Sequence, residues 1–245
     1  MKKRRNKLVT LGMAAMMTAA LMSGCGKKAT PENLLKDMAK NMKDTESVVA
    51  NMKMDMEMGD DTTTIGIQMD MDIDMDLKSG ESHAKGAVDM KMMGTNVGTE
   101  IEMYTVKEKD QYIVYTMAND QWQKEEMDDS AADMAGELSD LTGSMGGHAK
   151  SFEMSKEKVE VNGEKCFEMK GEIKGSDIVG MMESGMADSL GSEIDEDVIK
   201  DLELPCTIAV YEDDILPAKI SFDMQDIMEK AMEEEGVDVS ACSIE

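Results

Sequence analysis

The stretch Thr64 to Leu77, TIGIQMDMDIDMDL, constrains the fold more than any other part of the chain. Ile65, Ile67, Met69, Met71, Ile73, Met75 and Leu77 take every second position, and Gly66, Gln68, Asp70, Asp72, Asp74 and Asp76 fill the gaps. Successive strand side chains point to opposite faces, so the pattern predicts a strand with one apolar and one acidic face. At ~3.3 Å per residue it spans roughly 43 Å. A strand of that length belongs to a large sheet that is strongly twisted or curled. What covers its apolar face is the functional question.

The same period of two surrounds it. Met52, Met54, Met56 and Met58 alternate with Lys53, Asp55 and Glu57 before the turn Gly59-Asp60-Asp61. After the long strand, Lys78-Ser79-Gly80-Glu81 turns the chain, and Ala84, Gly86, Val88, Met90 and Met92 continue the alternation. Gly94-Thr95-Asn96 leads into Val97, Thr99, Ile101, Met103 and Thr105; Lys107 to Asp110 leads into Gln111 to Met117, and Asn119-Asp120 reaches Trp122. Six strands joined by turns this short form an antiparallel meander.

Helical spacing appears on either side. Thr30-Pro31-Glu32-Asn33 carries a capping hydroxyl, a proline at the first helical position and an early acid. Leu34, Leu35, Met38, Ala39 and Met42 follow as an amphipathic stripe. Further helices are expected over Asp128 to Leu141, after the cap Gly175-Ser176-Asp177 with Ile178, Val179, Met182 and Met186, over Glu193 to Leu202, and from Gln225 to Glu235. Between them lie a strand at Ser151 to Met154, a hairpin around Asn162-Gly163, a second hairpin from Pro205 to Asp223, and a last strand near Val237 to Ala241. The expected architecture is α+β, a curled antiparallel sheet of 10 to 11 strands with helices on its concave face. No Pro- or Ser-rich linker divides it, so residues 31–245 read as one domain.

The amino terminus indicates where the chain works. Lys2, Lys3, Arg4, Arg5 and Lys7 precede an apolar run from Leu8 to Met22, which identifies residues 1–24 as an export signal. Leu21-Met22-Ser23-Gly24-Cys25 resembles the lipobox of bacterial lipoproteins, with Met22 where Leu is usual. That resemblance implies acyl chains on Cys25, cleavage before it, and a short polar tether from Gly26 to Ala29, with residues 25–30 forming the anchor segment. Two or three chains, palmitate-like in length, hold a protein to a membrane far more firmly than one. The expected location is therefore the extracytoplasmic face of the cell membrane.

Charge narrows the partners. Without the five basic residues of the leader, 21 bases face 52 acids, a net charge of −31. Nucleic acid is excluded, and anionic head groups are repelled, so membrane contact falls to the anchor. Three further cysteines, Cys166, Cys206 and Cys242, match no zinc spacing. Two alternatives stay open: a disulfide between Cys166 and Cys206 if their strands are neighbours, or free buried thiols.

The order of elements resembles the LolA and LppX type of lipoprotein carrier, and more closely the lipoproteins of Gram-positive bacteria assigned to that superfamily. The likeness rests on the lipobox, the helix Pro31 to Lys43, the meander, Gln111-Tyr112-Ile113-Val114-Tyr115 with Trp122, the hairpin Val161 to Cys166, and Ile215-Leu216-Pro217-Ala218-Lys219-Ile220. It implies an open half-barrel whose concave side is plugged by helices, with a cavity for acyl chains between. The family's pattern is richer in aromatic residues than this chain, at 3%. The residues point the same way independently, because a curled sheet with one apolar face leaves room for an apolar ligand beneath its helices. Thirty methionines supply flexible, polarizable walls. Alternation places Ile67, Met69, Met71, Ile73, Met75, Met90, Met92, Ile101 and Met103 on that face, and the resemblance implies a cavity beside them. The expected function is a non-catalytic carrier or holder of an apolar or amphipathic, lipid-like molecule, without a cofactor.

Other chemistries compete. Met52, Met54, Met56, Met58, Met69 and Met71 offer soft thioethers for Cu(I), but same-face neighbours on one strand stand ~6.6 Å apart, so neighbouring strands would have to contribute. His83 and His148 are isolated in sequence. The row Asp70, Asp72, Asp74, Asp76 lacks the glycine and turn of a calcium loop and reads as a solvated face. A closed, methionine-filled structural domain is the remaining alternative. No nucleophile elbow, phosphate loop or zinc signature marks an enzyme.

Overall fold

The computed structural model describes residues 29–59, 64–109, 111–127, 134–177, 200, 202–232 and 238–245. Helix α1, Pro31–Lys43, starts where the capping pattern places it, with the Asn33 amide donating to Thr30 Oγ1 at 3.3 Å. Six strands follow: β1 Ser47–Gly59, β2 Thr64–Asp76, β3 Ser82–Met92, β4 Thr95–Glu108, β5 Gln111–Ala118 and β6 Gln121–Met127. After α2, Met134–Met145, come two short strands, β7 Glu153–Met154 and β8 Val159–Val161, and then β9 Glu164–Lys174, β10 Glu203–Tyr211 and β11 Pro217–Asp223. Helix α3, Gln225–Met232, and β12, Asp238–Ile244, complete the described chain. The expected helical runs over 178–186 and 193–199, the export signal and Cys25 lie outside the described residues.

All twelve strands join one antiparallel sheet, ordered β6-β5-β4-β3-β2-β1-β12-β11-β10-β9-β7, with β8 beside β9. The sheet does not close, and it curls around the helices as a half-barrel of the α+β class. Two meanders, β1 to β6 and β9 to β12, meet along β1 and β12, where Met54 faces Ile244 and Met56 faces Cys242. The last strand thus sits near the middle of the sheet. Its neighbour β1 is about 180 residues away in sequence, a pairing that local patterning does not encode.

The helices gather over one part of this sheet. Leu34, Leu35 and Met38 of α1, Leu141 and Met145 of α2, and Ile227, Met228 and Met232 of α3 form one buried cluster with Met56, Met169, Ile173, Leu204, Ile208, Val210, Phe222 and Val239. Met38, Met56 and Met169 are wholly buried, and each such side chain contributes about 1.5–3 kcal/mol by leaving water. Among the described residues the cluster draws on β1 and β9 to β12 and reaches β2 only through partly buried Ile67; β3 to β6 add nothing to it. Apolar sheet surface therefore continues past the helix-covered core.

Candidate apolar binding face

The register places the nine alternation-derived residues on one face. Ile67 stands opposite Met90, Met69 opposite Val88, Met71 opposite Gly86, Ile73 opposite Ala84 and Ile65 opposite Met92. On the next strand Gly86 meets Ile101, Ala84 meets Met103 and Met90 meets Val97. Four strands of one face are thus apolar from Met56 opposite Ile67 and Met54 opposite Met69 outward to Ile101 and Met103, interrupted by Thr99 opposite Val88. Met71 and Met75 are buried, Ile67, Met69, Ile73, Ile101 and Met103 are half-buried, and Met90 and Met92 are 44% and 48% exposed. Exposure grows along the strands toward the β3–β4 turn.

Gly86 interrupts the row of side chains for a steric reason. A Cβ there would stand 2.8 Å from Met71 Sδ and 1.9 Å from the Asp70 carbonyl oxygen. Only glycine admits so close an approach in a strand.

The opposite face is polar and internally paired. Asn51 Nδ2 donates to Asp70 at 2.7 Å and to Asp72 at 2.9 Å, and Lys53 Nζ lies 3.7 Å from Asp70. Asp76 accepts from the Lys78 and Ser79 amides, both at 2.8 Å, and these backbone donors hold its carboxyl below the usual range. The acidic row thus organises turns and cross-strand contacts on the solvated side.

One cluster on this polar face has no counterpart among the expected site residues. His83 stacks on Tyr104 with ring centroids 4.3 Å apart, and Tyr104 lies 5.9 Å from Trp122. The Tyr104 hydroxyl donates to Glu102 Oε1 at 2.8 Å, and His83 Nε2 lies 3.0 Å from the same oxygen. The first contact, then the second, lowers the Glu102 pKa, and the carboxylate in turn raises that of Tyr104. His83, Glu102 and Tyr104 share one face by alternation, so the signal was present; their proximity depends on the β3–β4 register.

Of the two alternatives for the cysteines, the structure has the free buried thiols and not a bridge between Cys166 and Cys206. Cys206 faces Gly171 on β9 while Cys166 faces Tyr211. Five residues along a strand is ~17 Å, far beyond disulfide reach, and the odd offset puts the two on opposite faces. Cys166, Cys206 and Cys242 are all free and buried. Burial pushes the Cys206 thiol up to about 12, and burial followed by the charges of Asp223 and Asp55 pushes Cys242 up to about 11.

A separate hollow of about 450 Å³ lies among β9 to β12, lined by Lys170, Thr207, Ser221, Asp223, Gln225 and Cys242. Its lining mixes Pro205, Phe222 and Ala241 with these polar side chains and suits an acyl chain poorly. Among the described residues no helix is long and apolar enough to cross a membrane, and no three His, Cys, Asp or Glu side chains converge to hold a metal.

No curated protein matches the chain. Among solved structures, the crystal structure of LprF from Mycobacterium bovis is similar with a TM-score of 0.47 and 15% identity, over 79% of this chain and 86% of that one. A family model described as a family of unknown function, DUF6612, matches residues 30–242, from the cap of α1 to Cys242 in β12, and the chain belongs to that family.

Proposed function

We propose that this protein is a lipoprotein anchored through Cys25 to the extracytoplasmic face of a membrane, where it holds an apolar or amphipathic, lipid-like molecule without catalysis. The observation that carries the reading is the continuation of the apolar face beyond the cluster that the described helices bury. Its rows run unbroken from Met56 in the buried cluster to half-exposed Met90 and Met92. Apolar surface left accessible on so acidic a protein is costly in water, and a ligand offsets that cost. Thioether side chains on β1 to β4 repack around chains of differing shape. The resemblance of the element order to lipoprotein carriers supports the same reading.

The register gives some support to a second reading. Met52 stands opposite Met71 and Met54 opposite Met69, and cross-strand neighbours lie ~5 Å apart at Cβ. Four thioethers on two strands are a soft donor set for Cu(I).

Native mass spectrometry of the chain from Gly26 onward, purified without detergent, separates these readings. A co-purified lipid-sized adduct recovered by organic extraction supports the carrier. Uptake of one Cu(I) by an otherwise empty protein supports the metal site, and an empty protein that takes up neither leaves a closed structural domain.

A further inference from the structure

The β3–β4 turn concentrates exposed apolar surface. Of the seven large apolar residues exposed among the described residues, four belong to this one hairpin end: Met90 (44%), Met92 (48%), Met93 (79%) and Val97 (61%). From Met92 to Thr99, MMGTNVGT, no residue is charged, although 32% of the whole chain is. The flank on one side is Lys91, whose stem can lie along an apolar surface while its ammonium reaches a phosphate.

The backbone makes Met93 more unusual. Met93 and Gly94 form a two-residue turn with φ of 50° and 79°. Such positions favour Asn, Asp or Gly, because a side chain is strained at positive φ. Two other hairpins follow the preference, with Asn162 and Gly163 at 53° and 82° and Asn119 and Asp120 at 52° and 60°. At the β3–β4 turn alone among these three, a large apolar residue takes the first position and points into solvent.

The direction of α1 supplies the occupant. Asn41, near the end of α1, donates to the Asp214 carbonyl at 2.8 Å in the β10–β11 turn, and the chain enters β1 at Ser47 on that same rim. A helix held at this end can carry Pro31 up to ~20 Å from the rim. The β3–β4 turn occupies the opposite rim, because Met92 is level with Ile65 and Ile65 with Met58 at the far end of β1. Strand β1 spans ~40 Å, a helix as long as α1 measures ~20 Å, and the six residues from Cys25 to Thr30 reach at most a further ~20 Å. A chain of that reach is long enough to bring an anchor at Cys25 to the level of the apolar turn.

We infer that the β3–β4 turn, Met92-Met93-Gly94 with Val97, dips into the outer surface of the bilayer that carries the chain's own lipid anchor. The inference rests on the anchored-lipoprotein reading. It gives the apolar face a continuous path, Met69, Ile67, Met90 and Met92, from the helix-covered core to the acyl chains.

Trp122 is the only tryptophan, so full-length lipidated protein carrying W122F and M93W reports from the turn alone. The protein is reconstituted on phosphatidylcholine vesicles with and without brominated acyl chains. The expected result is a blue shift of the emission and several-fold quenching by the brominated lipid, with W122F/D72W, on the acidic face, unquenched. A second reporter, W122F/M92W, guards against misfolding of the strained position and should be quenched alike. Protein that floats with the vesicles but shows water-exposed, unquenched emission from both turn reporters overturns the inference and leaves the anchor standing. Protein that does not float overturns both. A blue shift that needs no vesicles and grows with protein concentration identifies a second copy as the occupant and also overturns it.

Discussion

Met71 and Gly86 face each other across β2 and β3, with room for no Cβ at Gly86: one placed there would meet Met71 Sδ at 2.8 Å and the Asp70 carbonyl at 1.9 Å. The two residues set how closely the strands at the centre of the apolar face approach. Gly86→Ala should push β3 from β2 and destabilise the fold by about 2 kcal/mol, a fall in Tm of ~4–8 °C for a chain of this size. Calorimetry checks this, and an unchanged Tm would show that the strands yield freely. Gly66→Ala, whose nearest neighbour would be the Lys91 Cβ at 3.7 Å, is the tolerant comparison.

The buried thiols give a second outcome. With Cys206 near 12 and Cys242 near 11, almost no thiolate exists at pH 8, and Cys166 is buried as well. Thiolate is the reactive form. An aromatic disulfide reagent should label none of the three within minutes in the native chain from Gly26, and all three in denaturant. A Cys166–Cys206 bridge recovered by peptide mapping from native protein would contradict the register.

Glu102 and Tyr104 predict a pH response of definite sign. The Tyr104 hydroxyl and then His83 lower the Glu102 pKa from the usual 4.5, so the contact contributes stability above that value and loses it as pH falls through the depressed one. Tyr104 moves oppositely, up from 10.0, so its share is complete below 10.0 and is lost as pH rises through the raised value. Carboxyl-carbon NMR should find Glu102 titrating below the ordinary glutamates and returning toward them in Tyr104→Phe. No change in that variant would remove the hydroxyl as the principal cause.

These contacts mark the limit of what the chain discloses in one dimension. Strands β1 to β6 and their faces follow from alternation, because a side-chain period of two admits few other readings over runs as long as Thr64 to Asp76. The hairpin at Asn162-Gly163 follows from turn chemistry. Register is another matter. Cys166 and Cys206 lie on neighbouring strands, yet five positions apart and on opposite faces, and no local pattern carries that offset. The junction of β1 with β12 is likewise non-local, as is the stack of His83 on Tyr104. For the candidate site, alternation assigned the face, whereas how far the helix-packed cluster extends along it, to Ile67 of β2 among the described residues, is set by tertiary packing that no local pattern carries.

A titration of a fluorescent fatty-acid analogue tests whether this continuation of the apolar face binds a lipid-like molecule. Met90 is 44% exposed, so Met90→Glu can be made without disturbing the buried cluster, and Asp72→Asn on the acidic face serves as the control. Binding by the chain from Gly26 should be saturable and one-to-one, weakened at least ~10-fold by Met90→Glu, the effect of about 1.4 kcal/mol, and unchanged by Asp72→Asn. Absence of saturable binding, or equal binding by wild type and well-folded Met90→Glu, would contradict the carrier reading.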